Sequence, residues 1–266
     1  MTPTVAVIPA AGRGTRMRPA TRVIPKAFLP LIDRPSIQYA AEEAAAAGAT
    51  EIFTVIDPNV AGLIEGHFEE ELASLVGVTV TPVVQAEPLG LGHAVACAAE
   101  AVGDRPFLCL LVDELLRPGS DVLGRLIAAA GAGSVVAVRT VNDPAILGRY
   151  GIVGIGETHA DGSFDVTSAV EKPASGEAPS NLALVGRYLF QPEIFEALSD
   201  LEPGYGGEIQ LTDGINRLAG RCRGIVADDD LLDIGNPLGM AKAKHLLASQ
   251  HPEWGKEYRR FTADGN

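Results

Sequence analysis

Between a first apolar run, Val5-Ala6-Val7-Ile8-Pro9, and the first acidic side chain, Asp33, the chain carries five basic residues: Arg13, Arg16, Arg18, Arg22 and Lys26. Two of the arginines lie in Ala10-Ala11-Gly12-Arg13-Gly14-Thr15-Arg16, directly after the apolar run. Glycines there let backbone N–H groups approach an anion, and guanidinium groups add charge and forked donors. Such a loop is suited to holding phosphate. Two well-defined phosphate loops do not fit it. A Walker A loop needs G-x-x-x-x-G-K-S/T, which is absent. The dinucleotide fingerprint G-x-G-x-x-G needs a third glycine, and the chain has Met17 there. Asp33 stands about 20 residues beyond Gly12, where a ribose-binding acid would sit, yet Pro19 breaks the helix that should open at such a loop.

The elements that must position this loop are those of an α/β sheet buried on both faces, because short β-branched runs alternate with Ala-rich stretches. Val5 to Pro9 reads as the first strand, Ser36 to Ala47 as a helix with Pro35 near its start and Gly48 at its end, and Glu51 to Ile56 as a second strand. Val78 to Val84 is a strand and Leu91 to Ala101 a helix. Phe107 to Val112 is a continuous apolar strand that delivers Asp113 to its C-terminal edge, where open α/β sheets bind ligands. A helix over Asp121 to Ala130 and a strand over Ser134 to Arg139 follow. Beyond them, Ile152 to Ile155, Phe164 to Val170 and Leu182 to Phe190 read as strands around Gly-rich turns, more antiparallel in character. Helices over Glu193 to Leu198, Glu208 to Ala219 and Pro237 to Ser249 complete the pattern, and the tail from His251 carries no clear signal. The expected architecture is a Rossmann-like three-layer α/β/α fold with a mixed, mainly parallel sheet and a smaller antiparallel subregion. Residues 1–250 form one unit, with a nucleotide-binding half over about 1–140 and a second-substrate half over about 141–250, followed by a 251–266 tail.

Charge is segregated rather than uniform. The 266 residues carry 21 basic and 34 acidic side chains, a net charge of −13, although everything before Asp33 is +5. An acidic surface disfavours nucleic acid and anionic membrane as partners. An Arg-rich, acid-poor start resembles a targeting peptide, but a strand precedes the basic residues and Pro19, Pro25 and Pro30 break any amphipathic helix. No apolar run approaches the roughly 20 residues that span a bilayer. Cys97, Cys109 and Cys222 form no C-x-x-C pair, which suits a reducing, cytoplasmic setting. His67, His93, His159, His245 and His251 show no paired ligand spacing, so zinc is not expected.

The segment Gly12-Arg13-Gly14-Thr15-Arg16-Met17-Arg18-Pro19-Ala20-Thr21, continued by Ile24-Pro25-Lys26-Ala27-Phe28-Leu29-Pro30, resembles the signature of the sugar-1-phosphate nucleotidyltransferases, and within them the bacterial branch that joins UTP to glucose 1-phosphate. Five further blocks match in order. They are Gln85 with Glu87-Pro88-Leu89-Gly90-Leu91-Gly92-His93-Ala94-Val95, Val170-Glu171-Lys172-Pro173, Val185-Gly186-Arg187-Tyr188, Gly206-Gly207-Glu208-Ile209-Gln210-Leu211-Thr212-Asp213, and Asp233-Ile234-Gly235-Asn236-Pro237-Leu238-Gly239. Together they extend from residue 5 to about residue 245.

The resemblance implies attack by a sugar-1-phosphate oxygen on the α-phosphorus of a nucleoside triphosphate, with pyrophosphate leaving. The nucleophile is already anionic, so the need is to hold two polyanions in line and neutralise charge. By resemblance, Arg16 and Lys26 handle the triphosphate, with Arg13 and the backbone of Ala11, Gly12 and Gly14 beside them. Lys172 takes the sugar phosphate. Asp113 and Asp233, each preceded by an apolar run, match ligands of Mg²⁺, which prefers one or two carboxylates plus substrate oxygens. Gln85 and the Gly90 backbone read the pyrimidine edge, for which a side-chain amide can both donate and accept. Glu171, the Gly186 backbone and Glu208 face the sugar, and His93 reads as a capping or packing residue. A homo-dimer or homo-tetramer follows by analogy alone.

Some positions depart from the family pattern. Ala27 stands where Glu is usual, Arg22 where Lys is usual, Glu114 in place of a second Asp after Asp113, Ala86 in place of Lys, and Leu231-Leu232 in place of a basic-aromatic pair. These changes leave room for another NTP or another sugar or cyclitol phosphate. A regulator that binds a nucleotide-sugar without turnover is a further alternative; a pure binding protein has no chemical need for both metal carboxylates. An NAD-binding module lacks its third glycine.

Overall fold

The computed structural model describes residues 3–70, 75–131, 133–228 and 231–264. Along the chain run β1 (Val5–Pro9), α1 (Ser36–Ala46), β2 (Glu51–Ile56), α2 (Ala61–Glu70), β3 (Thr79–Val84), α3 (Leu91–Ala96), α4 (Ala99–Val102), β4 (Phe107–Leu110), β5 (Glu114–Leu116) and α5 (Val122–Ala130). They are followed by β6 (Ser134–Thr140), β7 (Gly151–Thr158), β8 (Phe164–Glu171), β9 (Leu182–Phe190), α6 (Glu193–Ser199), α7 (Leu211–Arg217), β10 (Cys222–Val226), β11 (Leu231–Asp233), α8 (Pro237–Gln250) and α9 (Gly255–Ala263).

Nine strands form one sheet in the order β3-β2-β1-β4-β9-β6-β10-β8-β7. The β3-β2-β1-β4 half is parallel. Antiparallel β9 then lies between β4 and β6, and antiparallel β7 and β8 close the other edge. The antiparallel strands thus continue the same sheet rather than forming a separate layer. β1 shows why these runs are strands: Val5, Ala6, Val7 and Ile8 have no exposed surface. Ala6 and Ile8 enter one apolar cluster with α1, α2 and α5, whereas Val5 and Val7 enter a second with α3, α6 and α7. Period-2 alternation therefore feeds two cores, and each fully buried aliphatic side chain contributes about 1.5–3 kcal/mol relative to exposure. β1 has parallel neighbours on both sides, β2 and β4, so the winding reverses there and opens a crevice beyond their C-terminal ends.

Several elements differ from the sequence reading. The helix expected over Leu91 to Ala101 is two pieces, because the Ala98 N–H bonds to the Val95 carbonyl and tightens the ladder. β4 ends at Leu110, so Asp113 lies three residues past the strand. The helix expected from Glu208 starts only at Leu211, since Glu208 and Gln210 are extended. α2 was not anticipated, and the unassigned tail contains α9. Its entry is set by His251, whose Nδ1 accepts from the Glu253 and Trp254 amides and whose ring stacks on Trp254 at 3.9 Å. Also unforeseen are β10, which pairs in parallel with β6, and a two-stranded antiparallel ribbon of β5 and β11 that pairs Glu114 with Asp233. A third apolar cluster binds this ribbon to the basic segment through Met17, Leu29, Leu31, Leu115, Ile234 and Met240.

Candidate functional site

Residues from six sequence-distant segments line one cleft of about 540 Å³ at the reversal point. Among the residues singled out from sequence, it is lined by Ala11, Gly12, Arg13, Gly14, Arg16, Lys26, Gln85, Gly90, Asp113, Glu171, Lys172 and Glu208. Asp233 stands just behind Gly235, which lines the cleft. Gly186 does not line it; its carbonyl accepts the Leu111 N–H at 2.9 Å, beneath the cleft wall.

The basic segment folds as three short 3-10 turns over Thr15–Met17, Ala20–Arg22 and Lys26–Phe28. Thr21 Oγ1 donates to the Gly14 carbonyl at 2.7 Å, and Met17 is buried, so the loop is tied to itself and to the third cluster. This geometry turns Lys26 inward: its side chain is 11% exposed and Nζ lies 2.6 Å from Asp113 Oδ2. Arg16, 63% exposed, places Nη2 at 3.5 Å from the same oxygen. Burial pushes the Asp113 carboxyl up, but the charge and hydrogen bond of Lys26, with the charge of Arg16, outweigh it and hold the group below the usual carboxylate range.

Asp113 is fixed from several sides. Its carbonyl accepts the Ile234 N–H at 2.8 Å, joining it to the ribbon strand that carries Asp233. Buried Arg187 donates from Nη1 to the Leu111 carbonyl at 2.9 Å and from Nε to Glu43 Oε2 at 2.8 Å, while Glu43 Oε1 accepts the Leu116 N–H at 2.9 Å. The stretch holding Asp113 is therefore braced at both ends. Asp233 is oriented by the turn into α8: Oδ1 accepts the Gly235 N–H at 2.8 Å and Oδ2 the Asn236 side-chain amide at 3.0 Å. Asn236, not Asp233, caps α8 by accepting the Gly239 N–H. A Cβ added to Gly235 would lie 3.1 Å from Asp233 Oδ1, 3.4 Å from Asp113 Oδ2 and 3.0 Å from Arg16 Nη2. The missing side chain leaves a niche onto which two carboxylates converge. Among the described residues no set of three or more His, Cys, Asp or Glu could hold a metal, so a metal seated here would draw its other ligands from water or substrate. Glu114, next to Asp113, is pushed up to about 8 by burial, against the pull of Arg139 and with the charges of Asp113 and Asp233 adding to the rise.

At one end of the cleft, Gln85 is buried and donates from Nε2 to the Gly90 carbonyl at 3.1 Å. Gly90, at φ +113°, permits a close approach: a Cβ there would lie 2.6 Å from the Ile209 carbonyl oxygen. The Ile209 N–H donates to the Leu89 carbonyl and the Gly92 N–H to the Ile209 carbonyl, at 2.7 and 2.8 Å, which explains why 208–210 is extended. At the other end, Lys172 is the single non-glycine residue with positive φ among the described residues, at +45°. Its Nζ lies 3.0 Å from Glu171 Oε1 and 4.7 Å from the Tyr205 ring centroid. Glu171 Oε2 accepts from Thr212 Oγ1 at 2.7 Å. Thr212, Gln210, Tyr205, Asn236 and the Glu43–Arg187 pair escaped sequence reasoning as contributors. Most lie inside the motif blocks, and the polar residues of Glu208-Ile209-Gln210-Leu211-Thr212 are the signal for two of them.

The family profile described as "Nucleotidyl transferase" matches residues 5–250. The chain is 41% identical to UTP--glucose-1-phosphate uridylyltransferase 2 of Staphylococcus saprophyticus, over 89% of this chain and 89% of that protein. It is 38% identical to the UTP--glucose-1-phosphate uridylyltransferase of Bacillus subtilis, over 93% and 92% respectively. Among solved structures, the UTP-bound UGPase from Acinetobacter baumannii superposes with a TM-score of 0.83 at 33% identity, covering 99% of each chain. A UDP-glucose pyrophosphorylase complexed with UDP-glucose superposes at 0.81, also with 33% identity, covering 91% of this chain and 97% of the other.

Proposed function

The chain belongs to the nucleotidyl transferase family, and on that premise we propose how its cleft transfers the uridylyl group of UTP to glucose 1-phosphate, giving UDP-glucose and pyrophosphate. The observation that carries the reading is the convergence of Lys26, Arg16, Asp113 and Asp233 around the Gly235 niche, with Lys172 lining the same cleft. A phosphate oxygen of the sugar attacks the α-phosphorus, the bond to the β-phosphate bridging oxygen breaks, and the charge passes to pyrophosphate. No proton moves in that exchange.

Arg16 and Lys26, with Arg13 and the Ala11-Gly12-Gly14 backbone, hold the triphosphate and stabilise the departing pyrophosphate. Lys172 orients the sugar phosphate in line, while Glu171 and Glu208 accept hydrogen bonds from sugar hydroxyls. Gln85 and the Gly90 N–H face the base. Asp113 and Asp233 would hold Mg²⁺, which takes one or two carboxylates and completes its shell with water and phosphate oxygens. When bound, the ion supplies neutralisation of charge on the transferred phosphoryl group. The free thiols Cys97, Cys109 and Cys222 fit residence in a reducing cytoplasm, and a homo-dimer or homo-tetramer is the assembly we propose.

Pyrophosphate release, measured for a panel of NTPs against several sugar 1-phosphates with Mg²⁺ and with chelator, tests the reading. Turnover should be highest for UTP with glucose 1-phosphate and abolished by chelator or by Asp113→Asn. Binding of UDP-glucose without turnover of any pair would establish the non-catalytic regulator instead.

A further inference from the structure

Both protons of the Gln85 side-chain amide are used inside the protein. Nε2 lies 3.1 Å from the Gly90 carbonyl oxygen and 2.9 Å from His93 Nδ1. A carbonyl can only accept, so the amide nitrogen, not its oxygen, faces this corner. His93 Nδ1 must then accept the second proton, which places the ring proton on Nε2. The other neighbour of Nδ1 is Cys97 Sγ, at 3.8 Å.

The consequence concerns what Gln85 offers to a ligand. With Nε2 committed twice, Oε1 is the one part of this buried, cleft-lining amide left to act, and it can only accept. The sequence-based expectation of an amide that both donates and accepts is thereby narrowed. The donor comes instead from Gly90, whose N–H has no acceptor among the described residues. One acceptor and one donor match the N3–H and adjacent carbonyl of a uracil imide. Cytosine presents the reverse, an unprotonated N3 beside an amino group.

We propose that His93 is a specificity-determining positioning residue: by accepting the second proton of Gln85 Nε2 it fixes the amide with Oε1 toward the base, and so selects uridine over cytidine nucleotides. The inference rests on the proposed function, in which this end of the cleft receives the base. Flipping the amide would set Oε1 against the Gly90 carbonyl and would also require the His93 ring to move its proton to Nδ1. Without His93 one of these restraints disappears and the flipped amide, which can donate to cytosine N3, becomes more accessible, although the Gly90 N–H still opposes the cytosine amino group. Thymine presents the same imide edge as uracil, so discrimination between UTP and dTTP does not pass through this residue.

The test measures kcat/KM for UTP, CTP and dTTP with glucose 1-phosphate in the unaltered chain, His93→Phe and His93→Asn. His93→Phe removes the acceptor and should lower the UTP:CTP ratio by about three- to ten-fold, the scale of the net contribution of one hydrogen bond, with UTP:dTTP unmoved. His93→Asn sets a carbonyl oxygen near the place of Nδ1 and should restore the ratio. Each ratio comes from one sample, so partial loss of folded protein cancels. An unchanged UTP:CTP ratio in His93→Phe, or an equal fall in both variants, overturns the role of His93. Absence of UTP turnover in the unaltered chain would overturn the proposed function itself, a distinguishable result.

Discussion

Lys26 Nζ stands 2.6 Å from Asp113 Oδ2, so the most buried cation of the basic segment rests on a carboxylate assigned to metal. The two charges hold each other in place, and on the proposed function phosphate and metal would divide them on binding. Lys26→Met should therefore lower kcat/KM for pyrophosphate release by about 100- to 1,000-fold, the scale of removing one preorganised group that stabilises transition-state charge. The fold should survive, because Arg16 remains beside Asp113. Steady-state kinetics together with a thermal melt check both halves of the expectation.

Arg187 and Glu43 form a buried ion pair whose members also hold the Leu111 carbonyl and the Leu116 amide. Removing one partner leaves an uncompensated buried charge, so Arg187→Met should cost about 3–5 kcal/mol in denaturant-induced unfolding. The double variant Arg187→Met with Glu43→Leu should recover much of that loss, since apolar packing often replaces a buried pair at little cost. Activity should stay low in the double variant, because the stretch carrying Asp113 has lost its brace. Recovery of stability and activity together would show that the pair serves folding alone.

Lys172 occupies a backbone conformation that suits glycine, at φ +45°. Strain of this kind persists where a side chain is needed. Lys172→Gly should leave stability unchanged or raise it by about 1 kcal/mol, while the KM for glucose 1-phosphate rises far more than that for UTP. Equal increases in both KM values would remove Lys172 from the sugar-phosphate end.

The three thiols should differ in reactivity. Burial pushes Cys222 up to about 12 and Cys109 further, while Cys97, half-buried, rises less. The thiolate is the reacting species, so a disulfide reagent near pH 8 should label Cys97 first and reach Cys109 and Cys222 only after unfolding. Prompt labelling of all three in the native protein would contradict this packing.

The legible part of the structure was the part written in local pattern. β1, β2 and the helix after Pro35 follow from runs of apolar residues and their punctuation, and the ordered motif blocks led to the cleft-lining residues. The ribbon of β5 and β11 was not legible, because two three-residue strands from opposite halves carry no periodicity and are defined only by their pairing. The start of α7 was misplaced for a related reason: Glu208 to Gln210 look helical in sequence but are held extended by backbone bonds to Leu89 and Gly92. Arg187 stands inside a motif block, yet nothing local distinguishes a buried arginine braced by Glu43 from a solvated one.

The pairing of Glu114 with Asp233 also sets a time at which the site can first exist. During synthesis the Gly-rich loop, Lys26 and Asp113 emerge early, whereas Arg187 and Ile234, which hold the Asp113 stretch, emerge only later. Asp233, the second carboxylate of the proposed metal pair, follows only once residue 233 has left the ribosome. Until then the proposed site lacks one of its two carboxylates and the backbone bond that fixes the other.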